Sequence, residues 1–484
     1  MIWSALPQPA KADLTTGTWR PASARVSAAD AAFAHEAERL QSDLAALDIP
    51  EGGDARILIG PADLVGEAYE IVVGDDVEIR VATPVGAFRA TRQLLHNLRA
   101  QGAVPRGSVA GVPAVAERGI HLDAARKFYP AAWIIRMLHD AADVGINVFQ
   151  WHFSENEGFR LESAAFPEVV SAEHITRDEA AQIVEIARDL HIDVVPSLDM
   201  PGHLRQALEQ HPDLRLPPGT DPDDPAEAGI IGTDHALDIT RPEALEFAKR
   251  LIDDMVPVFP HSTKWNLGGD EFVAFERIED YPALTDAAHA RYGAQGTGFD
   301  LLTDFVNEIA AHLRRHGLQP RVWNDGMLRS AQVPLDPEVV LTWWTNWHAG
   351  MRPVSEAVAA GHRIVNVNDN LFYYVLGENA GYRYPTAERI WEADWHPGLF
   401  PRLWGPDGQG TVRQEIVAPY PELLLGCSFA IWSDKGGPQT VEEVAAGIRA
   451  PLRAMAERAW NGGTALSLSE FTALDAAIDE ARGS

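Results

Sequence analysis

The sequence predicts an α/β fold, a (β/α)8 TIM barrel preceded by a small α+β domain, and three observations carry that prediction. From Ala116 onward, short β-branched or aromatic runs alternate with longer helical patterns, as repeated strand-helix units around a parallel sheet require. The runs number eight, which is what a closed barrel needs. Polar and aromatic side chains gather at the C-terminal ends of those runs, the face on which barrels converge distant residues.

In chain order, 28–47 has helical spacing, 56–59 and 69–82 read as strands with Gly74-Asp75-Asp76 as a turn, and 85–99 is a second helix. The stretch 101–115, rich in Gly, Pro and Val, reads as a linker, so the domains divide as 1–113 and 114–484. The barrel strands are predicted at 117–122, 148–153, 193–199, 264–267, 321–324, 340–344, 363–367 and 424–432. Capping boxes at Thr176/Glu179, Thr240/Glu243 and Thr440/Glu443 mark helix starts, each Thr capping an amide while each Glu reaches back. The Pro/Gly/Trp-rich segment at about 376–420 is weakly periodic and reads as an elaborated loop over one barrel end.

With 484 residues the chain exceeds the usual single-domain size, and 46% hydrophobic with 23% charged residues is a soluble globular composition. Seventy acidic against 40 basic side chains give a net charge of -30, which repels phosphate backbones and anionic membranes. No basic patch offsets it, so neither a nucleic acid nor a membrane is expected as partner. Cys427 is the one cysteine, excluding an intramolecular disulfide and a cysteine-based zinc site, and its apolar surroundings (423–432) predict a buried core residue. The start lacks a basic region followed by an apolar stretch, and no run approaches the roughly 20 apolar residues of a membrane span, so a cytoplasmic protein is expected. No His-Glu-x-x-His segment or close histidine cluster with zinc-ligand spacing is read, and neither metal nor cofactor is expected.

The segment Trp265-Asn266-Leu267-Gly268-Gly269-Asp270-Glu271 runs off an apolar strand through two glycines into two acids. Glycines permit a tight backbone and close ligand approach, and adjacent carboxyls at a strand end can face different atoms. Glycoside hydrolysis needs such a division of labour: one acid protonates the leaving oxygen while a second group stabilises an oxocarbenium-like centre. The letters Gly268 to Phe272 also spell the signature of diguanylate cyclases. That rival is disfavoured by Asn266 where a basic residue usually precedes the glycines, by the net charge and by the surrounding strand-helix repeat.

Taken together, several ordered motifs resemble glycoside hydrolase family 20, the β-N-acetylhexosaminidases, over about 117–434. They are Arg118-Gly119-Ile120-His121-Leu122-Asp123-Ala124-Ala125-Arg126, Trp151-His152-Phe153-Ser154, Asp199-Met200-Pro201-Gly202-His203 and Gly268-Gly269-Asp270-Glu271. Val322-Trp323-Asn324-Asp325-Gly326 and Ile431-Trp432-Ser433-Asp434 complete them. The resemblance implies a retaining exo-glycosidase that removes β-linked N-acetylhexosamine (GlcNAc or GalNAc), with the substrate's own acetamide as nucleophile and an oxazolinium intermediate. By position it implies Glu271 as acid/base, Asp270 as partner of the acetamido N–H, and Tyr373 as donor to the acetamido oxygen, with Tyr374 the alternative. It further implies Arg126 and Asp434 on the sugar hydroxyls, Trp323, Trp344 and Trp432 as pocket walls, His152 as a site residue, and Glu155 with His203 as a relay to Glu271.

Each assignment has a competitor: the tryptophans could be core, Arg126 could pair with Asp123, His152 could be a hydrogen-bonded core residue, and His203 could cap the turn after Pro201-Gly202. The chain also departs from the family pattern. Glu155-Asn156-Glu157 stands where two aspartates are common, Lys127 replaces a common histidine, and Phe372-Tyr373-Tyr374-Val375 lacks the usual following aspartate. The phrase Phe153 to Arg160 looks closer to the dispersin-like and lacto-N-biosidase branches, leaving release of a disaccharide as the alternative.

Overall fold

The computed structural model describes residues 2–220, 232–346, 350–404 and 410–480. Eight parallel strands close into a barrel: Glu117–Asp123, Val148–Glu155, Asp193–Met200, Lys264–Gly268, Gln319–Trp323, Val340–Trp343, Ile364–Asn366 and Leu424–Trp432. The last strand pairs back onto the first, Gly426 to Ile431 against Glu117 to Leu122. The strands are buried almost throughout, as parallel strands covered on both faces must be. Cys427 lies in the last of them, fully buried, and burial pushes its thiol up to about 12.

Helices Ala131–Asp143, Arg177–Asp189, Pro242–Met255, Gly298–Arg315 and Val441–Asn461 turn their apolar stripes onto this barrel. The repeat breaks once: residues 324–339, between the fifth and sixth strands, hold no helix. The capping boxes at Thr176 and Thr440 are present. The one at Thr240 is not, because the helix begins at Pro242 with Arg241 as cap, placing Glu243 one residue too early to reach back. Thr240 instead donates its hydroxyl to Asp238 at 2.6 Å.

The N-terminal region is a six-stranded mixed sheet in the order Lys11–Trp19, Val104–Gly111, Tyr69–Val73, Val77–Val81, Ala55–Pro61, Ala24–Ala28. Helices Ala34–Ala45 and Pro84–Gln101 supply Leu40, Leu44, Leu94 and Leu98 to its core. The stretch expected as a linker is thus partly a sheet strand, Val104–Gly111, held between two antiparallel neighbours. Glu67 fastens this unit to the barrel by contacting both Arg89 and Arg118 at 2.6 Å. The C-terminal helix Leu468–Glu480 returns to pack on Pro84–Gln101. Between the seventh and eighth strands, the expected loop holds a helix, Ala387–Glu392, and a hairpin, Leu399–Trp404 with Gly410–Glu415; 405–409 lie outside the described residues. No described helix is long and apolar enough to cross a membrane.

Candidate active site

The fourth strand ends in a backbone that only its glycines allow. Gly268 has φ +83°, and a Cβ there would sit 2.7 Å from the Cα and Cβ of Asp199 on the neighbouring strand. Its N–H donates to Asn266 Oδ1 at 2.8 Å, which tightens the turn. The chain then delivers Asp270 into the barrel mouth, buried at 8% exposure, and Glu271 beside it with φ +40° and a side chain 27% exposed. Glu271 is held in that uncommon conformation partly by its N–H, which donates to Asp325 Oδ2 at 3.0 Å.

His203 stands between the acids. Its Nε2 is 3.5 Å from both Asp270 Oδ2 and Glu271 Oε2, while its Nδ1 lies against Glu155 Oε1. Burial works against a charged imidazole, but Glu155, Asp270 and Glu271 hold its pKa well above the ordinary histidine value. The backbone N–H of His203 donates to His235 Nδ1 at 2.8 Å, so the capping side chain in this turn is His235, and the His203 imidazole is turned to the carboxylates. Asp270 is driven the opposite way from an exposed aspartate. Burial, with Asp199, Asp325 and Glu271 nearby, raises it well above the usual range, and His203 alone among its main neighbours pulls it down. Its Oδ1 is buried and accepts no hydrogen bond among the described residues.

A cavity of about 150 Å³ opens over these groups. Trp344 and Tyr373 form one wall, ring planes 2° apart and centroids at 5.7 Å, with Trp432 at 5.8 Å from Tyr373. Trp344 is fixed by its Nε1, which donates to Asp325 Oδ1 at 3.0 Å. One buried carboxylate therefore holds both the backbone of Glu271 and the indole of Trp344. Arg126 and Asp434 also line the cavity, 3.7 Å apart, with the Arg126 guanidinium 5.7 Å from the centre of the Trp432 ring. Arg126 is anchored to Asp123 at 3.0 Å and Glu155 at 2.6 Å, so the ion-pair reading and the lining position are both realised. Asn379 donates to Asp434 at 3.3 Å.

Two expected site residues sit a layer lower. His152 and Trp323 do not line the cavity; they pack beneath Trp432 at 5.4 and 5.8 Å between ring centroids, together with His121. His152 meets Ser197 Oγ at 3.1 Å, and burial lowers it to about 3, so it is a neutral floor residue. Tyr374 also leaves the cavity, its hydroxyl accepting from Gln439 at 3.0 Å, whereas Tyr373 faces it. Lys127 reaches outward to the carbonyl of Gly436 at 2.6 Å. Val375, two residues after Tyr373, contributes an apolar patch to the lining. Three residues outside the expected set complete the site: Asp325, His235 and Tyr382, whose hydroxyl donates to Asp369 at 3.3 Å. Asp325 lies in a motif already visible in sequence, but no local signal marks Tyr382, which arrives on the loop after the seventh strand.

Residues 116–463 match the family described as glycosyl hydrolase family 20, catalytic domain. The chain belongs to that family. It is 29% identical over 463 residues to a lacto-N-biosidase of Bifidobacterium bifidum, covering 92% of this chain and 39% of that protein. It is 24% identical over 424 residues to a β-N-acetylhexosaminidase of Cellulomonas fimi, covering 81% and 74%. The chain spans about two fifths of the Bifidobacterium protein's length and 53% of a β-hexosaminidase of Vibrio vulnificus. Two solved structures share its fold. The exo-β-N-acetylglucosaminidase of Vibrio harveyi superposes with TM-score 0.80 at 18% identity, covering 99% of this chain and 78% of that one. The β-N-acetylhexosaminidase of Bacteroides fragilis gives 0.74 at 22%, covering 97% and 93%.

For this family 20 site, Asp325→Asn is expected to lower kcat/KM by roughly 10- to 100-fold. The amide leaves one of two donors, the part-buried Glu271 N–H or the buried Trp344 indole N–H, facing another donor, and bonds to a charged acceptor contribute about 1.5–3 kcal/mol. Steady-state kinetics on an aryl glycoside checks this; a wild-type value would remove Asp325 from the positioning of the acid.

Proposed function

We propose that the chain is a retaining exo-β-N-acetylhexosaminidase working by substrate-assisted catalysis. The observation that carries this reading is the buried, unpartnered Oδ1 of Asp270 in a cavity walled by Trp344, Tyr373 and Trp432. An acetamide matches that lining: its N–H needs an acceptor, its oxygen a donor, and its methyl an apolar wall. Asp270 accepts from the acetamido N–H, Tyr373 donates to the acetamido oxygen, and that oxygen attacks the anomeric carbon as the glycosidic bond breaks. Glu271 gives its proton to the leaving oxygen. It then takes a proton from the water that attacks the oxazolinium, reopening the acetamide and returning the sugar with its original anomeric configuration. Arg126 and Asp434 hold the sugar hydroxyls, and Glu155 orients His203 toward the two acids.

Because the nucleophile belongs to the substrate, a plain β-glucoside should be hydrolysed at least ~10³-fold more slowly than its N-acetylglucosaminide, as expected when the intramolecular nucleophile is lost. A thiazoline that mimics the oxazoline should bind tightly as an intermediate analogue. Comparable rates on the two glycosides would overturn the proposal.

Release of a disaccharide is the second reading, and a specific feature favours it. A further cavity of about 340 Å³, lined by Asn346, Asp369, Asn370 and Arg402, shares Ala380 and Tyr382 with the first and offers the polar groups a second sugar would need. Aryl GlcNAc, GalNAc and lacto-N-bioside compared side by side decide between the readings.

A further inference from the structure

Far from the carboxylates, two helices bring a histidine pair onto one acid, a grouping not apparent from the sequence spacing of the acid. His312 and His316 stand four residues apart at the end of the helix Gly298–Arg315, so both imidazoles leave the same side of its last turn. The helix Pro242–Met255 packs alongside and carries Asp253 in its own last turn. His312 Nε2 and His316 Nε2 lie 2.6 and 2.8 Å from the same Asp253 Oδ1, and one donor atom from each residue falls within 4.8 Å of the others. Both helix ends lead into strand starts, Lys264 and Gln319, so the cluster sits at the barrel end opposite Asp270 and Glu271.

We propose that Asp253, His312 and His316 bind a borderline divalent cation of the Zn²⁺ class that clasps these two helices. Two imidazole nitrogens and a carboxylate oxygen are a preferred zinc donor set, and a helical i, i+4 histidine pair is a recurring way of presenting it. His312 is largely buried while His316 and Asp253 are a third to a half exposed, which leaves the remaining coordination position open to water. Without a cation, both Nε2–H groups donate to Asp253, and Arg315 Nη2, 2.8 Å from His312 Nδ1, holds the proton on Nε2. On loading, the cation takes the Nε2 lone pair, His312 carries its proton on Nδ1, and the Arg315 guanidinium turns away. Arg315 thus opposes the cation, and removing it should favour binding.

The test is Zn²⁺ binding by equilibrium dialysis with metal analysis, paired with thermal unfolding. One tightly held Zn²⁺ per chain is expected, with Tm raised on the order of 3 °C at a hundredfold excess over Kd. Mg²⁺, which prefers oxygen ligands in a near-ideal octahedron, should do neither. Both effects should vanish in His316→Ala and Asp253→Asn, persist in His261→Ala, a surface histidine paired with Glu185, and strengthen in Arg315→Gln. Since His316 is partly exposed at the helix end, His316→Ala should keep wild-type glycosidase activity, which doubles as the check that it folds. Chelation should lower the Tm of the zinc-loaded enzyme without changing kcat. No bound Zn²⁺ in the wild type, or unchanged binding in His316→Ala, would overturn the site while leaving the proposed glycosidase intact.

Discussion

Asp270→Asn is expected to slow even activated aryl N-acetylhexosaminides by ~10²–10³-fold in kcat, the loss typical when one preorganised stabilising group is removed. Glu271→Gln is expected to lose ~10²–10⁴-fold on poor leaving groups and far less on activated ones, because an activated aryl oxygen departs without a proton. The contrast follows from where the two acids lie. Asp270 is buried with an Oδ1 that has no partner among the described residues, and in the proposed mechanism the substrate's acetamide supplies one. Glu271 is the more exposed of the pair and stands at the mouth, where the leaving group and the incoming water have access. Equal defects on both substrate classes would mean that the roles are wrongly divided. Since Asp270→Asn preserves volume at a buried position, a parallel thermal unfolding measurement separates lost chemistry from lost fold.

The barrel was legible in sequence because its strands are buried on both faces and read as apolar runs with little competing signal. The N-terminal sheet was less so. Lys11–Trp19 is mostly exposed and rich in Thr, so it carries no hydrophobic run, and Val104–Gly111 holds Pro105 and Gly107. Pro105 faces Thr18 and Gly107 faces Leu14 in pairings with a register shift between them, which is where such residues are tolerated within a sheet. Within the site, the sequence marks residues at strand ends without marking their depth. His152 and Trp323 share the inward face with the lining residues, but inward-pointing side chains in a barrel stack in layers, and sequence alternation reports the face without the layer. The expected absence of a close histidine pair with zinc-ligand spacing needs correcting as well: His312 and His316 are four residues apart, a spacing that suits zinc, while the third donor, Asp253, comes from a different helix.

His203→Ala and Glu155→Gln are expected to move the acid limb of the kcat/KM profile to higher pH, and to do so non-additively. Under the proposed mechanism Asp270 must be ionised to accept the acetamido N–H, so activity rises with pH as Asp270 loses its proton. Burial and the neighbouring carboxylates Asp199, Asp325 and Glu271 raise that pKa, while the His203 cation lowers it. Removing His203 deletes the lowering influence, so Asp270 ionises at higher pH, and each unit of displacement costs tenfold in rate below the limb. Glu155→Gln acts one step back. Despite complete burial, Arg126 and His203 keep Glu155 ionised well below the usual range, and that charge is a principal reason His203 stays protonated. Its loss lets His203 discharge at lower pH, withdrawing the same cation from Asp270. Once His203 is gone, Glu155→Gln has no cation left to withdraw, and the double variant should match His203→Ala in its pH profile. Any remaining difference should appear in KM, because Glu155 also anchors Arg126 at 2.6 Å on the side of the cavity assigned to the sugar hydroxyls. A histidine that merely capped its turn would, when replaced, lower stability and rate with the limbs unmoved; that profile, or cleanly additive displacements, would remove the relay and leave the two carboxylates to act alone.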